Sequence, residues 1–572
     1  MKPLAALALA SCLLAACARK AELTDAELVE LRAAAAAAPQ IQPAAHRGPP
    51  VAPGPGGTAR FARLVHEAFS QDQALALARF ADGFYREPAN EGFEATLAEV
   101  ERVLRGAGFG AHEGFALEVF ETPAARPAWT PRSARLELVR DGQVVVLHAF
   151  DAPGDRDRTM LPAGAPSADL EARIAVRLED CGPGSALLLE PGLRTDLLRR
   201  AAQQGAVLAI AGELASYNVD PTGRDRHRDA IGYRSVRGEV PLPVVQVSPR
   251  SFEALRAAAR ERSSRVRFTA RVETAERPLR TLVATVLGAR DPGLAVPILA
   301  HVQEPGACDN ASGVGAVAEC ARLLAGLVQD GRLPRPRRSV AFVFGHEMAQ
   351  SQVWLERSGR RALAAIAADM LGESRAETGA EPLLERAPDP GALKPLPPDF
   401  HTAWGAARVS PSDLRADGVA LIVRQALSDV GLAAGGWETA EHPFEGGSDH
   451  VVFLEAGVPA ALVWHFPDWA YHTSADRMEH VDAGEMRRSG AAVLSAALAL
   501  ADAAPEDLDR HLRSAKLEVD LRVATASSAG DEDLARRWHE HGDGVRQWLR
   551  ELCLGERARL SPGAGSRSGG GS

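Results

Sequence analysis

A histidine and an aspartate stand eight positions apart, where a buried strand gives way to a helix. Val296 to Ala300 form a short apolar run that ends at His301, and small and apolar residues recur at helical spacing from Val314 to Val328. Asp309 lies in the connecting loop, within Asp309-Asn310-Ala311-Ser312-Gly313. Open α/β sheets place their active sites at the carboxyl ends of strands. The pattern therefore predicts two candidate metal ligands at the edge of such a sheet.

The length and charge of the chain limit what it can be. At 572 residues it is too long for one ordinary hydrophobic core, so we expect more than one domain. Its 65 Lys and Arg residues against 75 Asp and Glu residues give a net charge of −10. Binding to phosphates needs clustered positive charge, so we expect no nucleic acid as a partner.

The amino terminus has the pattern of an export signal. Lys2 precedes an apolar run from Leu4 to Ala16, which is too short for a stable membrane span. The run closes with Leu-Ala-Ala-Cys17, which resembles the bacterial lipobox. That resemblance implies a lipoprotein signal peptide over 1–17 and a membrane anchor through lipid on Cys17. We expect an exported protein of the bacterial cell envelope, at the outer membrane facing the periplasm. The alternative is an ordinary signal peptide with an incidental cysteine.

The composition and the residue pattern change several times along the remaining chain. We predict an Ala/Pro/Gly-rich tether over 18–57, a helical part over 58–129, a β-rich insertion over 130–272, alternating strands and helices over 273–505, and a helical extension with a flexible Gly/Ser tail over 506–572. Within the insertion, strand-like runs at 185–189, 205–210 and 241–248 resemble the protease-associated domain. The alternative is an unrelated α+β insertion.

Four later fragments join the first one. Phe342-Val-Phe-Gly-His-Glu347 and Ile366-Ala-Ala-Asp-Met-Leu-Gly372 place polar residues directly after apolar strands. Gly447-Ser-Asp-His-Val-Val-Phe453 and Tyr471-His-Thr-Ser-Ala-Asp476 follow. Together, and in this order, the fragments resemble the M28 family of zinc peptidases.

The resemblance implies an α/β fold, with a mixed central sheet flanked by helices and the smaller β-rich domain inserted. It also implies two zinc ions. Carried over to this chain, His301 and Asp369 would bind the first ion, Glu347 and His472 would bind the second, and Asp309 would bridge them. Imidazole nitrogens and carboxylates are ligands suited to paired Zn²⁺.

The chain departs from the family pattern at two places. Gln303 stands where the family carries an aspartate that orients the first histidine, and His346 replaces the first residue of the usual Glu-Glu pair. His346 is therefore one candidate for the general base, and Glu347 in a shifted register is another. A third possibility is a site that binds metal without efficient catalysis. We expect Asp449 and His450 to support the pocket wall.

The resemblance implies a zinc metallopeptidase, most simply an aminopeptidase that hydrolyses the N-terminal bond of a peptide. One alternative is a degenerate peptidase fold that binds metal or peptide. Another is an acyltransferase like the glutaminyl cyclases, because residues 466–473 resemble their last motif. The complete Asp309–Gly313 element favours the two-zinc peptidases.

Overall fold

The computed structural model describes residues 48–190, 195–236, 241–261, 263–394 and 409–555. The predicted signal peptide with Cys17, most of the tether and the Gly/Ser tail lie outside these residues. The described residues lie in one compact unit, which contains two separate β-sheets.

The strands fall into two groups along the chain. The described strands are β1 (Phe115–Thr122), β2 (Ala128–Arg140), β3 (Gln143–Phe150), β4 (Ala168–Ala175), β5 (Ser185–Leu189), β6 (Ala206–Ala211), β7 (Val244–Gln246), β8 (Arg265–Ala275), β9 (Leu279–Val286), β10 (Asp291–His301), β11 (Arg338–Gly345), β12 (Arg361–Ala362), β13 (Ala365–Ala368), β14 (Glu381–Glu385), β15 (Ala440–His442) and β16 (Ala460–Phe466).

The main sheet is mixed and has nine strands. Its order is β1-β9-β11-β10-β13-β16-β14-β15, with β12 pairing beside β10. The central strands β11, β10, β13 and β16 run parallel, while β9 and β14 pair antiparallel to their inner neighbours. Strands β13 and β16 are buried throughout, as expected for a sheet covered on both faces. The parallel strands therefore end at one common edge.

A second, seven-stranded sheet spans Ala128 to Ala275 in the order β3-β2-β8-β4-β5-β6-β7. It has a hydrophobic core of its own, which includes Leu136, Leu208 and Phe268. The sheet occupies nearly the range predicted for the inserted β-rich domain. Its likeness to the protease-associated domain stays a prediction.

Helices cover the faces of the main sheet and extend beyond it. The described helices are α1 (Ala62–Ala68), α2 (Gln71–Asp82), α3 (Glu91–Gly106), α4 (Thr195–Gln203), α5 (Pro249–Ala258), α6 (Ala311–Gln329), α7 (Ala349–Arg357), α8 (Arg375–Thr378), α9 (Val419–Ala433), α10 (His450–Glu455), α11 (Ala483–Ala501), α12 (Leu508–Ser528) and α13 (Glu532–Leu554). The predicted mixed α/β fold with flanking helices is confirmed.

Helix α6 is the central helix of the main core. It is the one described helix that is long and apolar enough to cross a membrane, with a mean hydropathy of 1.4 over the relevant window. However, 83% of that window is buried inside the protein. Its Val314, Val317 and Leu324 pack in the main hydrophobic cluster, so the helix serves as a core element.

The segments at either end of the alternating region also join this core. The part predicted as helical contains α3, but also β1, which adds an antiparallel edge strand to the main sheet. At the other end, Trp548, Leu549 and Leu552 of α13 pack into the main cluster. The helical extension is therefore part of the body that supports the sheet.

Candidate metal centre

The predicted metal ligands meet at the carboxyl edge of the main sheet. His301 is the last residue of β10, and Asp369 directly follows β13. Because β10 and β13 pair in parallel, both side chains leave the sheet at the same edge. Nε2 of His301 lies 3.1 Å from Oδ1 of Asp369. Strand pairing thus brings together two residues that are 68 positions apart in the sequence.

The carboxylate of Asp309 lies between two imidazoles. Its Oδ1 is 3.5 Å from Nε2 of His301, and its Oδ2 is 3.1 Å from Nε2 of His472. The residue directly precedes Asn310, whose side chain caps α6 by accepting the N–H of Gly313. Only 3% of Asp309 is exposed. A carboxylate that bridges two cations needs one oxygen toward each of them, and Asp309 turns one oxygen toward each of the two histidines.

Two trios of candidate ligands share this aspartate. One consists of His301, Asp309 and Asp369, and the other of Glu304, Asp309 and His472. Within each trio the ligand atoms all lie within 4.8 Å of one another. The donors are imidazole nitrogens and carboxylate oxygens, which zinc accepts in proteins. The arrangement fits two adjacent divalent cations.

The second trio contains Glu304, whereas the sequence pattern assigned Glu347 to that position. Oε2 of Glu304 lies 2.5 Å from Nε2 of His472. Glu347 is in neither trio. Its backbone N–H donates to the side chain of Gln303 at 2.8 Å, while the backbone carbonyl of Gln303 accepts from Nδ1 of His301 at 2.7 Å. Gln303 thus orients the first histidine through its backbone, and its side chain holds the Glu347 turn.

The carboxylates give the cluster a strong preference for positive charge. Burial opposes a charge on His301, but the negative charge of Asp369 raises its pKa well above the ordinary value. The same balance holds at His472, where Glu304 is the carboxylate that raises the pKa. Burial and the charge of Glu304 also raise the pKa of Asp309. Divalent cations supply positive charge of this kind at such a site.

The turn after β11 places His346 and Glu347 at the same edge, because Gly345 pairs in register with His301. Burial, followed by the positive charge of His301, lowers the pKa of His346 to about 4. Burial raises the pKa of Glu347, and the nearby carboxylate of Asp369 adds to that rise against the opposing effect of His301. The pKa of His346 is therefore lower than that of an ordinary histidine, and the pKa of Glu347 is higher than that of an ordinary glutamate.

Asp449 fixes the turn that follows Glu347. Its carboxylate accepts the backbone N–H of Met348 at 2.9 Å, the side-chain amide of Gln350 at 2.6 Å and the hydroxyl of Ser351 at 2.6 Å. Its neighbour Ser448 donates its hydroxyl to Oδ2 of Asp369 at 2.9 Å. The loop before α10 thus supports both a candidate ligand and the His346–Glu347 turn.

Asp476 anchors the loop that carries Asp309. Its carboxylate accepts the backbone N–H groups of Cys308 at 2.6 Å and of Asp309 at 3.0 Å. It lies four residues after His472, so one short loop supplies both a candidate ligand and the support for Asp309.

The β-rich insertion also reaches this centre, through the loop between β6 and β7. Asn218 donates from its side-chain amide to the backbone carbonyls of Trp469 at 2.9 Å and of Tyr471 at 2.8 Å. The backbone N–H of Tyr233 donates to the carbonyl of His472 at 2.7 Å. The β-rich insertion therefore holds the loop that bears His472, a relationship the sequence pattern did not indicate.

Four non-glycine residues at the centre adopt left-handed backbone angles. The φ values are +81° at Glu304, +60° at Met348, +51° at Met370 and +54° at His472. Such conformations cost about 1 kcal/mol or more each for residues with a Cβ, and they persist only where the surrounding structure fixes them. These residues are concentrated next to the candidate ligands. We infer that the loops adopt such backbone angles because the angles place the ligand side chains.

A cavity of about 710 Å³ opens beside Asp369 and His472. Its walls combine apolar and charged side chains, the latter including Asp413, Arg415 and Glu455, and one wall residue, Tyr217, comes from the β-rich insertion. Apolar and aromatic residues lining it include Met370, Phe444, Val451, Leu454, Leu462, Trp464 and Tyr471. The size and lining suit an organic side chain held next to the metal ligands.

The comparisons with known proteins agree with this description. The model of Peptidase family M28 matches residues 412–497. A peptidase M28 precursor from Shewanella amazonensis is 16% identical, with a TM-score of 0.51 over 77% of this chain and 96% of that one. A protein from Clostridium acetobutylicum is 13% identical, with a TM-score of 0.50 over 78% and 85%. A zinc aminopeptidase from Bacillus subtilis is 17% identical, with a TM-score of 0.46 over 75% and 94%. No curated protein matches the sequence.

The described residues form a mixed α/β fold, with the candidate ligands clustered at the carboxyl edge of the main sheet. The family match and the likeness in fold to the Shewanella structure identify the chain as M28-like. The resemblance inferred from the sequence motifs is thereby confirmed.

Proposed function

We propose that the protein is a zinc-dependent metallopeptidase that removes residues from the amino terminus of peptides. The observation that carries this proposal is the position of Asp309, with one carboxylate oxygen toward His301 and the other toward His472. The aminopeptidase direction rests on the M28 resemblance. Two trios that share one carboxylate favour a dinuclear peptidase over an acyltransferase with a single ion.

In this proposal His301, Asp309 and Asp369 hold one zinc ion, and Glu304, Asp309 and His472 hold the other. When bound, zinc supplies Lewis-acid polarisation of the scissile carbonyl and lowers the pKa of a water molecule. The chain itself orients the ligands: the Gln303 carbonyl fixes the His301 ring, and Ser448 and Asp476 hold the two aspartate segments.

Glu347 is the residue we assign to accept the proton of the attacking water. It is in neither ligand trio, it lies at the same edge of the sheet as the candidate ligands, and burial raises its pKa well above the ordinary value of a glutamate. His346 is a weaker candidate, since its pKa of about 4 makes the imidazole a poor base. A base works best when its pKa lies near the working pH. This assignment corresponds to the shifted register considered from the sequence.

The experiment uses the full chain and measures its zinc content together with hydrolysis of a panel of aminoacyl-p-nitroanilides. We expect two zinc ions at the shared-aspartate centre and turnover that is lost in Asp309→Asn along with those ions. Zinc binding without hydrolysis of any anilide or peptide would contradict the peptidase proposal and support a degenerate binding fold. Cyclisation of an N-terminal glutamine peptide would support the acyltransferase.

We also propose that the protein acts in the bacterial cell envelope, anchored by lipid on Cys17. The lipobox-like end of the amino-terminal apolar run supports this placement. Metabolic labelling with a fatty-acid analogue should mark the wild type and leave Cys17→Ala unlabelled.

A further inference from the structure

Two buried arginines contact the short loop that carries Glu304. The loop, residues 302–306, follows β10 and leads to the segment that bears Asp309. Glu304 lies at its centre in a left-handed conformation, with a φ of +81°. A residue with a Cβ keeps such a conformation only where the surrounding structure fixes the backbone. The side chains that do so here are those of Arg86 and Arg158, which are 0% and 2% exposed.

Arg86 holds the loop at both of its ends. The residue lies between α2 and α3, and all three of its guanidinium nitrogens donate to backbone carbonyls. The acceptors are the carbonyls of Val302 at 2.9 Å, Gly306 at 2.6 Å and Ala81 at 2.6 Å. A guanidinium can hold separate carbonyls at once because its donors form a rigid planar fork. One side chain from the helical part of the chain therefore fixes the two ends of the Glu304 loop relative to each other.

Arg158 reaches the same loop from the β-rich insertion. It lies in a 3₁₀ turn after β3 and donates to the backbone carbonyl of Pro305, directly after Glu304. On the other side of Glu304, the carbonyl of Gln303 accepts from Nδ1 of His301. The carbonyls of the four residues that flank Glu304 in this loop therefore all accept hydrogen bonds, three of them from the two arginines.

Asp82 couples the Glu304 loop to the loop that bears His472. Its carboxylate, at the end of α2, lies 2.9 Å from the guanidinium of Arg158 and 3.1 Å from that of Arg477. Arg477 follows five residues after His472 in the same loop. The three side chains are only 2%, 7% and 15% exposed for Arg158, Asp82 and Arg477, and a buried carboxylate between two guanidinium groups is costly to break. Both loops of the second trio are thus tied to the end of one helix.

We propose that Arg86 and Arg158 are positioning residues that set Glu304 against His472, and thereby determine how tightly the second trio binds zinc; this rests on the role of Glu304 as a ligand in the proposed function. Neither arginine is a candidate ligand, and each acts through the backbone of the loop. Because they come from the helical part and from the insertion, the second metal position is complete once both segments pack against the main sheet.

The test is a double-mutant cycle on zinc affinity, measured by titration of the metal-free full chain. We expect Arg86→Gln and Glu304→Gln each to weaken the binding of one zinc ion by at least roughly tenfold, the cost of losing a supporting contact at a metal site. Because Arg86 acts through Glu304, the double variant should bind that ion no more weakly than Glu304→Gln alone. Losses that add in the double variant would overturn the proposal.

Arg510→Gln is the matched control. Arg510 is also buried, donates to the backbone carbonyls of Ala52 and Gly56, and pairs with Asp429, none of which lies in a loop that carries a candidate ligand. We expect this variant to lower Tm with both zinc affinities unchanged. A loss of zinc affinity equal to that of Arg86→Gln would show that the arginine acts on stability alone, and would overturn the proposal.

Crystal structures of the wild type, Arg86→Gln and Arg510→Gln test the positioning without reference to zinc or turnover. We expect the carboxylate of Glu304 to leave Nε2 of His472 in Arg86→Gln and to stay beside it in Arg510→Gln. A Glu304 carboxylate that keeps its wild-type place in Arg86→Gln would overturn the proposal.

If Arg86→Gln fails to fold, Asp82→Asn takes its place. This change keeps the shape of the side chain and removes the charge that Arg158 and Arg477 share, so we expect the same displacement of Glu304, and an undisplaced Glu304 would overturn the proposal. Loss of zinc in Glu304→Gln without loss in Arg86→Gln would overturn this inference alone and leave the proposed function intact. A wild type that binds two zinc ions without turnover would refute the peptidase function, while the cycle would still decide the role of Arg86.

Discussion

Oε2 of Glu304 lies 2.5 Å from Nε2 of His472, in the position where the family pattern predicted Glu347. The two residues are 168 positions apart in the sequence and meet beside the shared carboxylate of Asp309. In the proposed function this contact assigns the ligand role to Glu304 and leaves Glu347 for proton transfer. Metal binding and catalysis are thus assigned to different glutamates.

Glu304→Gln and Glu347→Gln should separate these roles. We expect Glu304→Gln to weaken zinc binding at the second trio by at least the roughly 10- to 100-fold that loss of an outer-shell partner costs. Glu347→Gln should retain the wild-type zinc content and lower kcat by about 100-fold or more, the scale of general-base catalysis. Zinc titration of the metal-free protein and anilide kinetics measure the two effects.

The opposite pattern would refute the assignment. If Glu347→Gln lost zinc while Glu304→Gln kept both the metal and turnover, Glu347 would be the ligand. His346→Ala tests the other candidate base. An imidazole with a pKa of about 4 should contribute little as a base, so we expect this variant to lose little turnover.

The apolar and aromatic part of the cavity lining predicts a preference for large apolar amino-terminal residues. Val451 lines the cavity, so Val451→Trp should fill it and lower kcat/KM for leucyl and phenylalanyl anilides by roughly tenfold more than for the alanyl substrate. Val452→Trp is the matched control, because Val452 is equally half-buried but does not line the cavity. Equal losses on all substrates would place the amino-terminal side chain elsewhere.

The contact between the insertion and the His472 loop should matter for metal binding. Asn218→Ala removes its hydrogen bonds to the carbonyls of Trp469, which is buried, and of Tyr471, which is partly buried, at a cost of about 1–3 kcal/mol. We expect a lower Tm and weaker zinc binding at the second trio. Gln425→Ala also removes two buried hydrogen bonds, to Ser514 and His511, but in the contact between α9 and α12, neither of which carries a candidate ligand; it should lower Tm with zinc affinity unchanged. Equal zinc affinity in both variants would contradict the supporting role.

The buried histidine of α12 predicts a loss of stability in acid. Burial, against the opposing charge of Asp507, lowers the pKa of His511 to about 4, whereas an unfolded histidine titrates near 6.5. The unfolded chain then binds more protons between these values, so stability falls as the pH drops from about 6.5 to about 4. The total amounts to about 3 kcal/mol.

Urea unfolding from pH 7 to pH 5 measures this effect. Below pH 6.5, the difference in the free energy of unfolding between the wild type and His511→Gln should change by about 1.4 kcal/mol per pH unit, because the wild type loses stability that the variant does not. Other titrating groups are common to both proteins and cancel in the difference. A difference that stays constant with pH would show that His511 titrates normally.

Much of the centre could be predicted because its residues follow strands with strong apolar patterns. His301 and Asp369 end parallel neighbours, so recognising the strands was sufficient to place both side chains at one edge. Asp309 and His472 lie in loops whose motifs resemble the family pattern, and the structure brings both beside His301.

The unpredicted contacts depend on backbone details and on distant segments. Glu304 reaches His472 through a left-handed residue in a short loop, and no periodicity indicates which side chain such a loop turns inward. Asn218 and Tyr233 act from the loop between β6 and β7, more than 230 positions before the loop they hold. Strand β1 was hidden because it is a half-buried edge strand in a segment dominated by helical patterns.

Anomalous diffraction at the zinc edge, from crystals of the full chain, tests the central claim most directly. The account predicts two peaks on opposite sides of the Asp309 carboxylate, one contacting His301 and Asp369 and the other contacting Glu304 and His472. A single peak at this centre, no peak, or a second ion bound by Glu347 in place of Glu304 would contradict it.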